Sequence, residues 1–141
     1  MFYIVLEDIK IIYDLLKEFR DSAKKGKEKF KLACDLIERV LVRFAIEWEN
    51  LIEVKPMKFY KEADALFERY EKIIIDTIIE TRNYIGTSVI MSLKKLSREM
   101  KAQANKIHCL GPLEPYIEEG NKILEHASKI ESVVINAKIK I

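Results

Sequence analysis

Glycine and proline together occur only seven times in 141 residues, and all but Gly120 fall at four places: Gly26, Pro56, Gly86 and the segment Leu110 to Pro115. The interruptions stand about 30, 30 and 25 residues apart. Proline removes a backbone donor and fixes φ, and glycine carries the largest backbone entropy into a helix, so the runs between these places are where long helices can persist. The same scarcity of turn residues excludes an all-β chain.

The runs carry the matching periodicity. From Phe2 to Val54 one heptad frame holds through Phe2, Ile9, Leu16, Ala23, Phe30, Ile37, Phe44 and Leu51, interleaved with Val5, Ile12, Phe19, Gly26, Ala33, Val40, Glu47 and Val54. A second stripe runs Tyr60, Ala63, Phe67, Tyr70, Ile74, Ile78, Thr81 and Ile85, then keeps its phase through Val89, Leu93, Leu96, Met100, Ala104 and Ile107. A last helix is expected through Ile117, Ile123, Leu124, Ala127, Ile130 and Val134, with Gly120 weakening its first turn, and the tail AKIKI alternates like a strand.

Lys55-Pro56 and Leu110 to Pro115 are firm breaks, and a helix is expected to start at about Pro56. Gly26 and Gly86 are conditional, because each lies in a polar turn-like stretch while the apolar phase runs on through it. The expected fold is therefore all-α in one domain, an antiparallel up-down four-helix bundle with helices of about 20 to 28 residues. Its alternative is a long hairpin of two helices of about 53 residues plus a shorter C-terminal helix, which would need a partner to cover it.

Composition narrows the class of function. A chain of this length can bury roughly 68–70% of its unfolded surface without staples. Twenty-five basic and 23 acidic side chains leave a net charge of only +2, so any electrostatic function must be local. Two cysteines, Cys34 and Cys109, lack framework or CxxC spacing and suit an intracellular protein. The opening MFYIVLEDIKII carries acids and no basic leader, and no uncharged apolar run reaches about 18 residues, so a cytoplasmic protein without signal peptide or membrane span is expected. Abundant Ile, Lys and Glu with a single Gln resemble a heat-adapted composition.

Reaction chemistry finds little material. A carboxylate-bridged metal site in a helical bundle needs Glu-x-x-His pairs, whereas His108 follows Asn105 and His126 follows Ile123 at that spacing. His108 and Cys109 are neighbours, and adjacent residues on a helix point about 100° apart, so they do not converge on a metal. Glu47 is the one charge inside the first apolar frame, beside Trp48, and is expected to sit half-buried, paired with Arg43 one turn earlier or placed at the bundle's end. Arg82-Asn83 resembles the opening of the Arg-Asn-x-x-x-His signature of helical ribonuclease toxins of the HEPN type. Thr87 stands where the histidine would be, so the resemblance lacks the base and implies no ribonuclease. His108-Cys109-Leu110-Gly111 resembles a phosphotransfer histidine motif only faintly, without the lysine before glycine and with Pro112 directly after. No cofactor, metal, small-molecule substrate or enzymatic activity is expected.

Local charge is more informative. Lys24, Lys25, Lys27, Lys29 and Lys31 surround only Glu28, and Lys94, Lys95, Arg98, Lys101 and Lys106 surround only Glu99, so each stretch is net +4 in a nearly neutral chain. If the turns at Gly26 and Gly86 lie at one end of the fold, the two clusters approach each other and form a candidate phosphate-binding patch. The alternative is a pair of solvated faces that keep the chain soluble. Small residues Thr77, Thr81, Ser88 and Ser92 beside Ile73, Ile74, Ile75, Ile78 and Ile79 mark a helix that is either central or open to a partner subunit. The leading expectation is a non-enzymatic interaction or assembly subunit that self-associates or binds a helical protein. The second is a non-enzymatic subunit that grips the RNA or DNA backbone through the two clusters.

Overall fold

The structure, a computed structural model, describes residues 2–106 and 111–140, with side chains from Lys10 onward. It is all-helical: α1 (Phe2–Asp21), α2 (Lys27–Val54), α3 (Phe59–Thr81), α4 (Thr87–Ala104) and α5 (Leu113–Ile139), with no strand among the described residues. Where four helices are expected, the described residues form five, because four interruptions delimit five runs and every interruption is a real break. The long-hairpin alternative fails at the two conditional positions. Gly26 adopts φ 61° ahead of α2, a left-handed value that a residue with a Cβ avoids. At the other break the chain leaves α3 through bonds from the Tyr84 and Ile85 amides to the Thr81 carbonyl and restarts after Gly86.

The apolar phase survives both breaks for a physical reason. Each helix turns its own apolar stripe to the same core, so an unbroken count across Gly26 and Gly86 does not require a continuous helix. Two further boundaries differ from expectation. Helix α3 begins at Phe59 rather than Pro56, since Lys55 takes a left-handed conformation (φ 46°, ψ 64°) and closes α2 with its amide on the Leu51 carbonyl. The tail expected as a strand continues α5 to Ile139, because Val134, Ala127 and Ile130 hold that helix against the core and its last apolar–basic alternation is too short to outweigh them.

Contacts run in a closed circuit, with α2 against α3, α3 against α4, α4 against α5 and α5 against α2, while α1 lies against α2 and α3. Side-chain pairs give the directions. Trp48 Nε1 donates to Asn121 Oδ1 at 2.9 Å near one end of α2 and Lys138 reaches Asp35 and Glu38 near the other, so α2 and α5 are antiparallel. Arg20 pairs with Glu80 at 3.3 Å, and the Phe19 and Tyr84 rings meet edge to face at 5.7 Å, so the α1–α2 and α3–α4 turns share one end.

The core is aromatic toward the opposite end. Trp48 packs on Phe67 at 5.2 Å and Phe59 at 6.1 Å, Phe44 on Tyr70 at 5.4 Å, and Tyr116 on Tyr60 at 5.3 Å. Fully burying each such side chain contributes about 1.5–3 kcal/mol, so this cluster is a principal source of stability. Along α3, Ile73, Ile74 and Ile78 are buried as a central helix requires, and the Thr77 and Thr81 hydroxyls donate back to the carbonyls of Ile73 and Thr77. Ile75 and Ile79 instead face outward.

The end shared by the two turns is locked by a lysine. Lys29 is 4% exposed, and its ammonium donates to the Phe19 carbonyl at 2.5 Å and the Ser22 carbonyl at 3.4 Å while lying 4.1 Å from the centre of the Phe19 ring. It adds a donor to the Phe19 carbonyl, which also accepts from the Ser22 amide at 3.3 Å, reaches the Ser22 carbonyl, and sits at the negative end of that helix dipole. Lys29→Met keeps the buried stem and removes these bonds. The expected result is a loss of about 1–2 kcal/mol in urea unfolding, with faster amide exchange in α1 than in α3. Equal protection of α1 in both proteins would show that the ammonium does not hold it.

Candidate interaction surfaces

The ten cations expected to form one phosphate patch have separate fates. Lys29 is consumed by the α1 terminus, and Lys106 forms an ion pair with Glu119 of α5. Each ammonium thus has partners inside the fold, backbone carbonyls for Lys29 and a carboxylate for Lys106. Lys24, Lys25, Lys27 and Lys31 are exposed around the α1–α2 turn. Lys94, Lys95, Arg98 and Lys101 are all exposed on α4, whose buried residues are Ile90, Leu93, Leu96, Ser97, Met100 and Gln103. With about 100° per residue, the four cations cover the side of α4 that faces away from these, with Met91 at its head. Glu99, the single acid of α4, is drawn off that ridge to α5, where its Oε1 meets His126 Nδ1 at 2.5 Å.

A second surface is apolar. Tyr13 on α1 is 46% exposed and Ile79 on α3 is 50% exposed. With Leu16 they line a depression of about 190 Å³ between α1 and α3, rimmed by Arg20, Asp76 and Glu80. A larger cleft of about 280 Å³ runs between α1 and α2, lined by Leu15, Phe19, Leu32 and Leu36 with Glu18, Asp35, Lys24 and Arg39 at its edges.

Buried polar groups serve the fold. The Glu47 carboxylate is buried, accepts from Arg69 Nη2 at 3.1 Å, and is hydrogen bonded by the Tyr70 hydroxyl, so its partners on α3 extend beyond the intrahelical Arg43 pairing read from spacing. Its place in the heptad frame marked it as inward, and nothing in the sequence marked Arg69. Burial and the adjacent Asp35 carboxylate push the Cys34 thiol up to about 11, so it stays protonated and unreactive at neutral pH. The Tyr116 hydroxyl donates to Asp64 at 3.0 Å, and burial together with that carboxylate pushes its ionisation far above the usual tyrosine range. Lys138 is held charged by its bonds to Asp35 and Glu38. His108 and Cys109 lie outside the described residues, while Arg82 and Asn83 are exposed in the α3–α4 turn. No group of three or more His, Cys, Asp and Glu able to hold a metal occurs among the described residues. Among the described residues, no helix is long and apolar enough to cross a membrane.

No family model matches the chain, and neither a curated protein nor a solved structure matches it.

Proposed function

We propose that this chain is a non-enzymatic assembly subunit of the cytoplasm, in which α2 to α5 form an antiparallel four-helix bundle and α1 completes a surface that pairs with a second copy. The closed circuit of helix contacts supports the bundle. One observation carries the pairing: Tyr13 and Ile79, large and half-exposed, flank one depression formed by two helices. The outer face of α1 exposes Ile11 and that of α3 exposes Ile75, which adds apolar area on the same two helices.

A second copy is the occupant this surface suits. Its rim carries both signs of charge, Arg20 against Asp76 and Glu80, so the same patch on a twofold-related molecule can set Arg20 beside Asp76. Sedimentation equilibrium tests it. At about 100 µM protein, far above a Kd of about 1 µM, a dimer is expected for the native chain and a monomer for Ile79→Glu. Because Ile79 is exposed, that substitution should leave monomer stability within about 0.5 kcal/mol. A native chain that stays monomeric at that concentration, or an Ile79→Glu variant that still dimerises, sinks the reading.

A further inference from the structure

We propose that the outward ridge of α4 binds the phosphate backbone of duplex nucleic acid without reading its bases. Lys94, Lys95, Arg98 and Lys101 are four exposed cations within eight residues, which spans about 10 Å along the helix axis. None of them has an ion-pair partner among the described residues, and the one acid of α4 is engaged by His126 on the flank toward α5. The ridge is thus a run of positive charge without ion-pair partners among the described residues, carried on a regular helix, whereas the other net-positive stretch, Lys24 to Lys31, lies at a turn. Neighbouring α3 carries six acids against three cations, so the net positive charge of α4 does not extend onto that helix.

The chemistry on the ridge selects among polyanions. No aromatic side chain accompanies the cations on α4, so there is no platform on which an unstacked base could rest, and single strands gain nothing over a duplex. Its exposed apolar residues are Met91 and Ala102 alone, too little to insert into an acyl boundary, which disfavours an anionic membrane. A duplex offers regularly spaced phosphates along one edge, which the four cations on the outward side of one helix can contact without reaching the bases. The α1–α2 lysines are not needed, since Lys29 is already spent and the rest lie on a separate turn. This inference does not rest on self-association, because the depression lies between α1 and α3.

Fluorescence anisotropy with a mixed-sequence duplex of about 20 base pairs, begun at about 50 mM salt, is the test. Binding is expected with a slope of log K against log salt between about −3 and −4, the value for four phosphates. Lys94→Glu with Arg98→Glu in one chain should weaken it at least about tenfold and flatten the slope by about 2, whereas Lys24→Glu with Lys25→Glu should change it less than about threefold. Lys94→Gln with Arg98→Gln repeats the measurement without introducing acids, and unfolding curves for each variant establish that it is folded. No duplex binding at the lowest salt, equal affinity in the α4 variants, or stronger capture by anionic lipid vesicles or polyglutamate than by the duplex would overturn the proposal.

Discussion

Gly120→Ala is expected to destabilise the protein by about 2 kcal/mol or more, although alanine is the better helix former by about 1 kcal/mol. Gly120 is buried in α5, and a Cβ there would stand 2.6 Å from Trp48 Cη2, 3.0 Å from Cε2 and closer still to Cζ2. Real side chains do not approach so closely, so either the indole or α5 must move. The indole has nowhere to go. It is 0% exposed, its Nε1 is bonded to Asn121, the residue that follows Gly120 in α5, and Phe59 and Phe67 pack on it. Overpacking a rigid core costs about 1–3 kcal/mol, occasionally more, and here the displaced atoms belong to the largest side chain of the core.

Urea unfolding measures the effect directly. Trp48→Phe in the Gly120→Ala chain should recover part of the loss, because the smaller ring vacates the space the methyl needs, whereas Trp48→Phe alone should cost stability through the cavity it leaves. A Gly120→Ala protein as stable as the native one would mean that α5 slides freely on α2.

Glu47→Ala should cost about 3 kcal/mol, the other large effect. The carboxylate lies inside the fold with 7% of its side chain exposed and holds two groups of α3, the Arg69 guanidinium and the Tyr70 hydroxyl. Removing it takes an acceptor from the hydroxyl of a fully buried tyrosine and from a cation that is only 29% exposed. Leaving a polar group unpaired costs more than the bond itself was worth, so the single substitution overstates the net value of the network. Glu47→Met combined with Tyr70→Phe removes both partners of the carboxylate–hydroxyl bond and fills the space with apolar atoms. That double variant should lose less than the two single variants added together, by about 1 kcal/mol or more. Strict additivity in thermal or urea unfolding would show that the two groups do not act as a unit.

Both effects concern contacts of different legibility in the chain. Glu47 occupies an apolar position of the first heptad frame, so its inward direction could be read from spacing. Arg69 and Tyr70 lie 22 and 23 residues further on, beyond the Pro56 turn, and only the way α3 packs on α2 brings them to it. Gly120 read as a weak point of its helix, since sequence carries the local cost of glycine. Its use is non-local, for it admits an indole from a residue 72 positions earlier. Lys29 looked like one more lysine in a basic run. Its burial depends on where α1 ends, because the carbonyls it reaches, of Phe19 and Ser22, lie at that terminus.

What the sequence determined alone is the helical class, the places where the chain breaks and the inward stripe of each helix, because periodicity, proline and glycine act over one or two turns of backbone. Tertiary structure decided the rest. It turned two conditional glycines into real reversals, giving five helices among the described residues and one shared end for two turns, and it gave two of the ten candidate cations, Lys29 and Lys106, partners inside the fold. Those outcomes depend on which helices meet and at what depth, and such long-range geometry has no signature in the order of neighbouring residues.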